Sequence, residues 1–174
     1  MGLFDRLFGD SSGREIQPVN RKPDIDKLLS SGDVEESINE LDTYISELCN
    51  FGSNLNALNV PQRNFYLIQA FEREIDNGGF SQYFFSDSGD FAHETVLALQ
   101  AVGALKMSDL LQRSFEPFPS AAVPVGQGQR QQFLEKTEDV SDEFWGRLEL
   151  EFYEHEPELI ALLWQYVKEN KSLL

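Results

Sequence analysis

The sequence predicts an all-α fold, a single compact multi-helix domain with a short N-terminal tail, and three observations carry that expectation. Beyond residue 33, apolar residues recur at spacings of three and four. Helix-start residues, Asp33, Pro61 and Pro157, stand just ahead of those stripes. Only 148–152, Leu-Glu-Leu-Glu-Phe, alternates as a half-buried strand would, and Leu and Glu favour a helix there. A chain of 174 residues with 14 Phe and 2 Trp can bury one core without covalent staples.

Residues 1–22 read as a flexible tail and 23–174 as the acidic α-helical domain. Leu3, Phe4, Leu7 and Phe8 form a short apolar tip, too brief to hold a helix alone. The Gly2 start resembles a myristoylation signal only until Arg6, where Ser or Thr is required. The first firm helix starts at Asp33, with Glu36 in the capping-box position and Val34, Ile38, Leu41, Ile45 and Leu48 along one face. Its other faces carry Asp33, Glu35, Glu36, Glu40, Asp42 and Glu47 without one Lys or Arg.

Pro61 fits the first turn of the next helix, which turns Phe65, Ile68, Phe71 and Ile75 inward and leaves Glu72 outward. Asn77-Gly78-Gly79 should end it, because Gly and Asn tolerate left-handed backbone. Phe80, Tyr83 and Phe84 then form a short helical turn folding back on the core. Ser86 through Gly89 reads as a turn, and Asp90 as the cap of a helix burying Ala92, Val96, Leu97, Leu99 and Val102. A short helix should start near Ser108 and carry Leu110, Leu111 and Phe115. Prolines and glycines make 116–129 the main long loop. From 131 onward two or three helices are expected: one striped by Phe144, Trp145, Leu148 and Phe152, another starting with Pro157 in its first turn and striped by Leu159, Ile160, Leu162, Leu163, Tyr166 and Val167.

Charge is the strongest functional clue. Thirty acidic residues face 14 Lys and Arg, a formal −16, which repels nucleic acid and anionic lipid and favours cationic partners. Between Glu135 and Glu158 ten acids stand against Lys136 and Arg147 alone, leaving −8. Crowding like charges on helices costs stability through i, i+4 repulsion, so two such segments hint at use.

No catalytic residue, cofactor site or metal site is legible. The single Cys49 lies on an apolar stripe, which excludes an internal disulfide and suits a buried thiol in a reducing cytoplasm. His93 and His155 fall in separate helices, and His93-Glu94 lacks the second His of a zinc-hydrolase helix. Gly126-Gln127-Gly128 is only a fragment of a phosphate-binding loop. No apolar run is long enough to span a bilayer.

Glu74-Ile75-Asp76-Asn77-Gly78-Gly79-Phe80-Ser81-Gln82-Tyr83-Phe84, followed by Ser88-Gly89-Asp90, Glu94-Thr95, Ala98-Leu99 and Val102-Gly103-Ala104, resembles the bacterial DNA-mimic protein family. The ending, with Glu143-Phe144 and Glu151-Phe152-Tyr153, is similar as well, so the likeness covers about 35–168. The resemblance implies an all-α fold and, for the characterised member, a homodimer whose carboxylates imitate phosphates on the DNA-binding surface of a helix-turn-helix repressor. The signature residues Asn77, Gly78, Gly79, Phe80, Tyr83, Phe84 and Gly89 read as structural. The expected partner is a basic DNA-binding protein such as a helix-turn-helix regulator, with no direct contact to nucleic acid. Candidate contacts are Asp33, Glu35, Glu36, Glu40, Asp42 and Glu47, together with Asp139, Asp142, Glu143, Glu149 and Glu151. An immunity-type inhibitor of a basic nuclease toxin is the alternative reading, and an enzyme with a pocket near Phe80, Tyr83 and Phe84 a third.

Overall fold

The computed structural model describes residues 22–174, with backbone alone for 138–142. The apolar tip, the tail up to residue 21 and the side chains of Asp139 and Asp142 lie outside the described residues. Those residues form six α-helices: α1 (Ile25–Ser30), α2 (Val34–Leu48), α3 (Val60–Phe85), α4 (Ala92–Ala101), α5 (Leu105–Arg113) and α6 (Gln127–Glu169). Three short 3-10 turns join them, and no strand occurs among the described residues, so the all-helical expectation holds.

Local chemistry starts the helices. Asp33 caps α2 by accepting the Glu36 amide at 3.0 Å. Asn59 and Gln62 cap α3 reciprocally, at 3.0 and 3.1 Å, with Pro61 in the first turn. α3 is the spine of the domain and packs against α2, α4, α6 and the 3-10 turn Asp87–Phe91. The glycine pair breaks its helical geometry, with Gly79 at φ 71° and ψ −164°, and the chain resumes a helix through Phe85.

That break turns Phe80, Tyr83 and Phe84 into the core, where all three are fully buried. Phe84 lies at the centre of an aromatic cluster, 4.9 Å from Phe118 and 5.2 Å from Trp145 between ring centroids. Phe71 meets Phe152 edge-on at 5.5 Å. Such tilted and edge-on contacts add to the area the rings bury. Trp145 satisfies its indole N–H on the Ser114 carbonyl at 2.9 Å. Cys49 is buried as expected, and burial pushes its thiol pKa up.

Several expectations are corrected. Glu72 does not face outward: only 7% of it is exposed. Leu97 is not core, being 62% exposed, because Ala92, Thr95, Val96 and Leu99 already set the inner face of α4. Asp90 does not cap α4, whose N-cap position is Phe91 without a side-chain bond. Its carboxylate instead pairs with the buried Arg130 and accepts the Gly126 amide at 3.1 Å. α5 starts at Leu105 rather than near Ser108, which is buried within the helix and donates to the Val96 carbonyl at 3.3 Å. Gly103, at φ 82°, closes α4 and frees the next residues to start α5 early.

The largest correction concerns the C-terminal part, which is one helix rather than two or three. α6 runs 43 residues, straight through Pro157. Pro157 and Tyr153, whose carbonyl loses its donor to the proline, are both exposed, so the break in the hydrogen-bond ladder lies on the solvent side of the helix. The alternating stretch 148–152 is helical: Leu148 and Phe152 are buried, whereas Leu150 is 69% exposed.

Candidate protein-interaction surface

The acids divide by what they touch. On α2, Asp33, Glu35, Glu36 and Glu40 are exposed, and Asp33 doubles as the helix cap. Asp42 is half-buried and receives Arg73 Nη1 at 2.7 Å. Its pKa is nonetheless raised, because burial outweighs Arg73. Glu47 is half-buried near the end of the same helix.

The α6 candidates are differently placed. Glu143 is exposed. Glu149 reaches the glycine break of α3, where its Oε1 accepts the Phe80 amide at 2.9 Å. This bond satisfies one of the open N–H groups that begin the resumed helix. Glycine suits that position because its backbone has φ 71° and ψ −164°, a conformation L side chains rarely adopt, and a Cβ there would also crowd the Glu149 carboxylate. Glu151 pairs with Arg113 of α5, which holds its carboxyl below the ordinary value.

The two acidic segments meet at one place. Glu35 and Asp42 of α2, Glu72, Arg73 and Asp76 of α3, and Glu156 of α6 line a cleft of about 490 Å³. Ile38 and Ile160 give it apolar walls. The α6 contribution is Glu156, not the 139–151 run singled out from the sequence. Four of these carboxyls shift the same way. Burial first, then Glu156, Asp76 and Asp42, push Glu72 up to about 8. Asp76 is raised by burial, and Glu156 by burial followed by Asp76 and Glu35. Gln69 Nε2 donates to one oxygen of Glu72, and no cationic side chain pairs with it among the described residues.

Sequence reasoning missed Glu72, Asp76, Glu156 and Arg130. Glu72 carried a faint signal: it lies one turn after Ile68 and three residues before Ile75, on the edge of the buried stripe. Arg130 carried none. It is fully buried, and its guanidinium donates to the carbonyls of Phe84 and Ser86 at 2.8 Å each and of Pro124 at 3.0 Å. No group of three or more His, Cys, Asp or Glu among the described residues is placed to hold a metal ion. His93 lies against Phe115, at 4.9 Å between rings, with Nε2 3.3 Å from the Val123 carbonyl.

The described residues form an acidic helical domain with exposed carboxylates along α2 and a carboxyl-lined cleft between α2, α3 and α6. The chain belongs to the family described as DMP19-like protein, whose model matches residues 56–170, about two thirds of its length. Neither the curated proteins nor the solved structures give a match. Membership implies a DNA-mimic role, a DNA-binding protein as partner and a non-enzymatic mode of action. No helix among the described residues is long and apolar enough to cross a membrane.

Proposed function

We propose that this protein acts in the cytoplasm by occupying the DNA-binding surface of a basic regulator of the helix-turn-helix type. One observation carries the reading: the exposed face of α2 holds carboxylates and no Lys or Arg. The helix of 15 residues extends about 22 Å at 1.5 Å per residue. One DNA strand presents a charge about every 3.4 Å along the axis, so that length corresponds to roughly six phosphates. From Asp33 to Glu47 the sequence places six acids over the same span, of which Asp33, Glu35, Glu36 and Glu40 are exposed and Asp42 and Glu47 half-buried. Two copies of the chain, paired through exposed apolar residues such as Leu97 and Leu105, would present two such faces to a dimeric regulator. Recognition helices of such regulators stand about 34 Å apart.

The test is affinity capture from the native cell's lysate at low salt, with and without excess duplex DNA. A basic DNA-binding protein is expected, displaced by duplex and lost when Glu35, Glu36 and Glu40 are changed together to Lys. A captured protein that duplex does not displace would overturn the proposal. A captured nuclease whose gene adjoins this one would favour the immunity-type alternative.

A further inference from the structure

We infer that the cleft between α2, α3 and α6 is a socket for one arginine side chain of the partner, with Glu72 at its floor receiving the guanidinium. The inference rests on the reading above that the acidic surface binds a basic protein, and adds to it a specific site set behind the outer carboxylates.

Geometry comes first. Glu72 is more than nine-tenths buried yet lines an open cleft, and among the described residues the neutral Gln69 amide is what donates to it, on Oε2. A carboxylate so placed is costly unless a cation completes it. Its in-fold neighbours cannot do so. Glu35 and Asp42 face the cleft from α2, Asp76 from α3 and Glu156 from α6, all acids. Among the described residues the lining holds one cation, Arg73, which gives Nη1 to Asp42. Five acids against one Arg leave the site at −4 when all are ionised.

The lining then selects the occupant. Ile38 and Ile160 offer apolar walls for a methylene stem, while the acids gather around the head group. A guanidinium is planar, weakly hydrated and able to bridge several carboxyl oxygens, so it enters a partly dry acidic cleft at lower cost than a lysine ammonium. Metal coordination is not indicated, since no three ligands converge among the described residues. In the chain alone burial and the surrounding acids push the Glu72 carboxyl up to about 8, so it holds its proton at neutral pH. An entering guanidinium favours the ionised carboxyl, so its proton is released to solvent at a lower pH.

The full chain is titrated with nona-arginine and nona-lysine peptides by calorimetry at pH 6.5 and pH 9, at fixed salt. Nona-arginine should bind the more tightly of the two at pH 6.5, where both peptides are fully charged. Its affinity should rise about tenfold between the two pH values, as a bound-state pKa one unit lower requires. In Glu72→Gln the rise should vanish. In Asn39→Arg, which places a guanidinium on α2 beside the cleft, it should vanish too. Glu116→Gln, an exposed site elsewhere, should keep it. Nona-arginine bound equally by the native chain and Glu72→Gln, with affinity flat in pH, would overturn the socket and leave the acidic-surface reading standing. No binding of either peptide at low salt would overturn that reading, and the socket with it.

Discussion

Glu72 makes the residue scale testable through stability alone. Unfolded, its carboxyl titrates near the ordinary glutamate value of 4.5, and in the fold burial and the neighbouring acids push it up to about 8. Between those values the folded state keeps a proton that the unfolded state releases, so stability falls as pH rises through the window. Below about 4 and above about 9 the contribution is flat. The full cost approaches roughly 5 kcal/mol, from a shift of this size at about 1.4 kcal/mol per unit. Glu72→Gln, which mimics the protonated form, should match the native chain near pH 4.5 and exceed its stability by a few kcal/mol at pH 9. Urea unfolding at the two pH values measures the difference, and an equal difference at both would refute the assignment. Arg130 gives the opposite sign: Arg130→Met strands Asp90 and three carbonyls, and should cost about 3–5 kcal/mol. Gly89→Ala presses on the same clamp, its Cβ falling 2.7 Å from Arg130 Nε and 2.9 Å from the Tyr83 carbonyl. About 2 kcal/mol or more should be lost in thermal or urea unfolding. Ser86 through Gly89 was legible as a turn and Asp90 was misread as a helix cap, because its partner Arg130 lies 40 residues away and no local pattern carries a contact of that separation. Gly79 is a parallel case: its place at the end of a helical run was plain, its near contact with Glu149 was not.

At the scale of elements, legibility follows how local the determinants are. Asp33 and the start of α2, and Asn59 through Pro61 at the start of α3, are set by side chains within three residues, and the sequence displays them. The inner face of α3 was equally plain at Phe65, Ile68, Phe71 and Ile75, all fully buried or nearly so. α6 was not legible as one element, because Pro157 carries the same local signal at a helix start as inside a helix on its solvent face. Only the packing of Leu148, Phe152, Leu159 and Leu163 on one side decides between them, and all four are buried. A helix that crosses its own proline should gain from losing it. Pro157→Ala restores a backbone donor and removes ring crowding, and should stabilise the domain by about 1–3 kcal/mol. A lower unfolding midpoint in that variant would mean that the proline sets a bend the packing needs.

Over the whole molecule, the −16 charge acts on folding and on binding in opposite ways. Within the domain, seven ion pairs among the described residues leave most carboxylates without a cation, and several helices carry acids at adjacent turns. Self-repulsion of this kind destabilises the compact state and is weakened by salt, as the Debye length contracts from about 30 Å at 0.01 M to about 10 Å at 0.1 M. Attraction to a basic partner is weakened by the same screening. One salt series should therefore give two slopes of opposite sign. The thermal midpoint of the isolated chain should climb by several degrees from 0.01 to 0.3 M sodium chloride, while affinity for the captured partner falls steeply over that range. A midpoint that stays level would mean the carboxylates are spaced widely enough to ignore one another, and such spacing would also be too sparse to imitate the charge density of a DNA strand. An affinity that stays level would place the binding energy in apolar contacts instead. The two slopes are measured separately but share one cause, the density of uncompensated charge along α2 and around the cleft, so lysine substitution at Glu35, Glu36 and Glu40 should flatten both together.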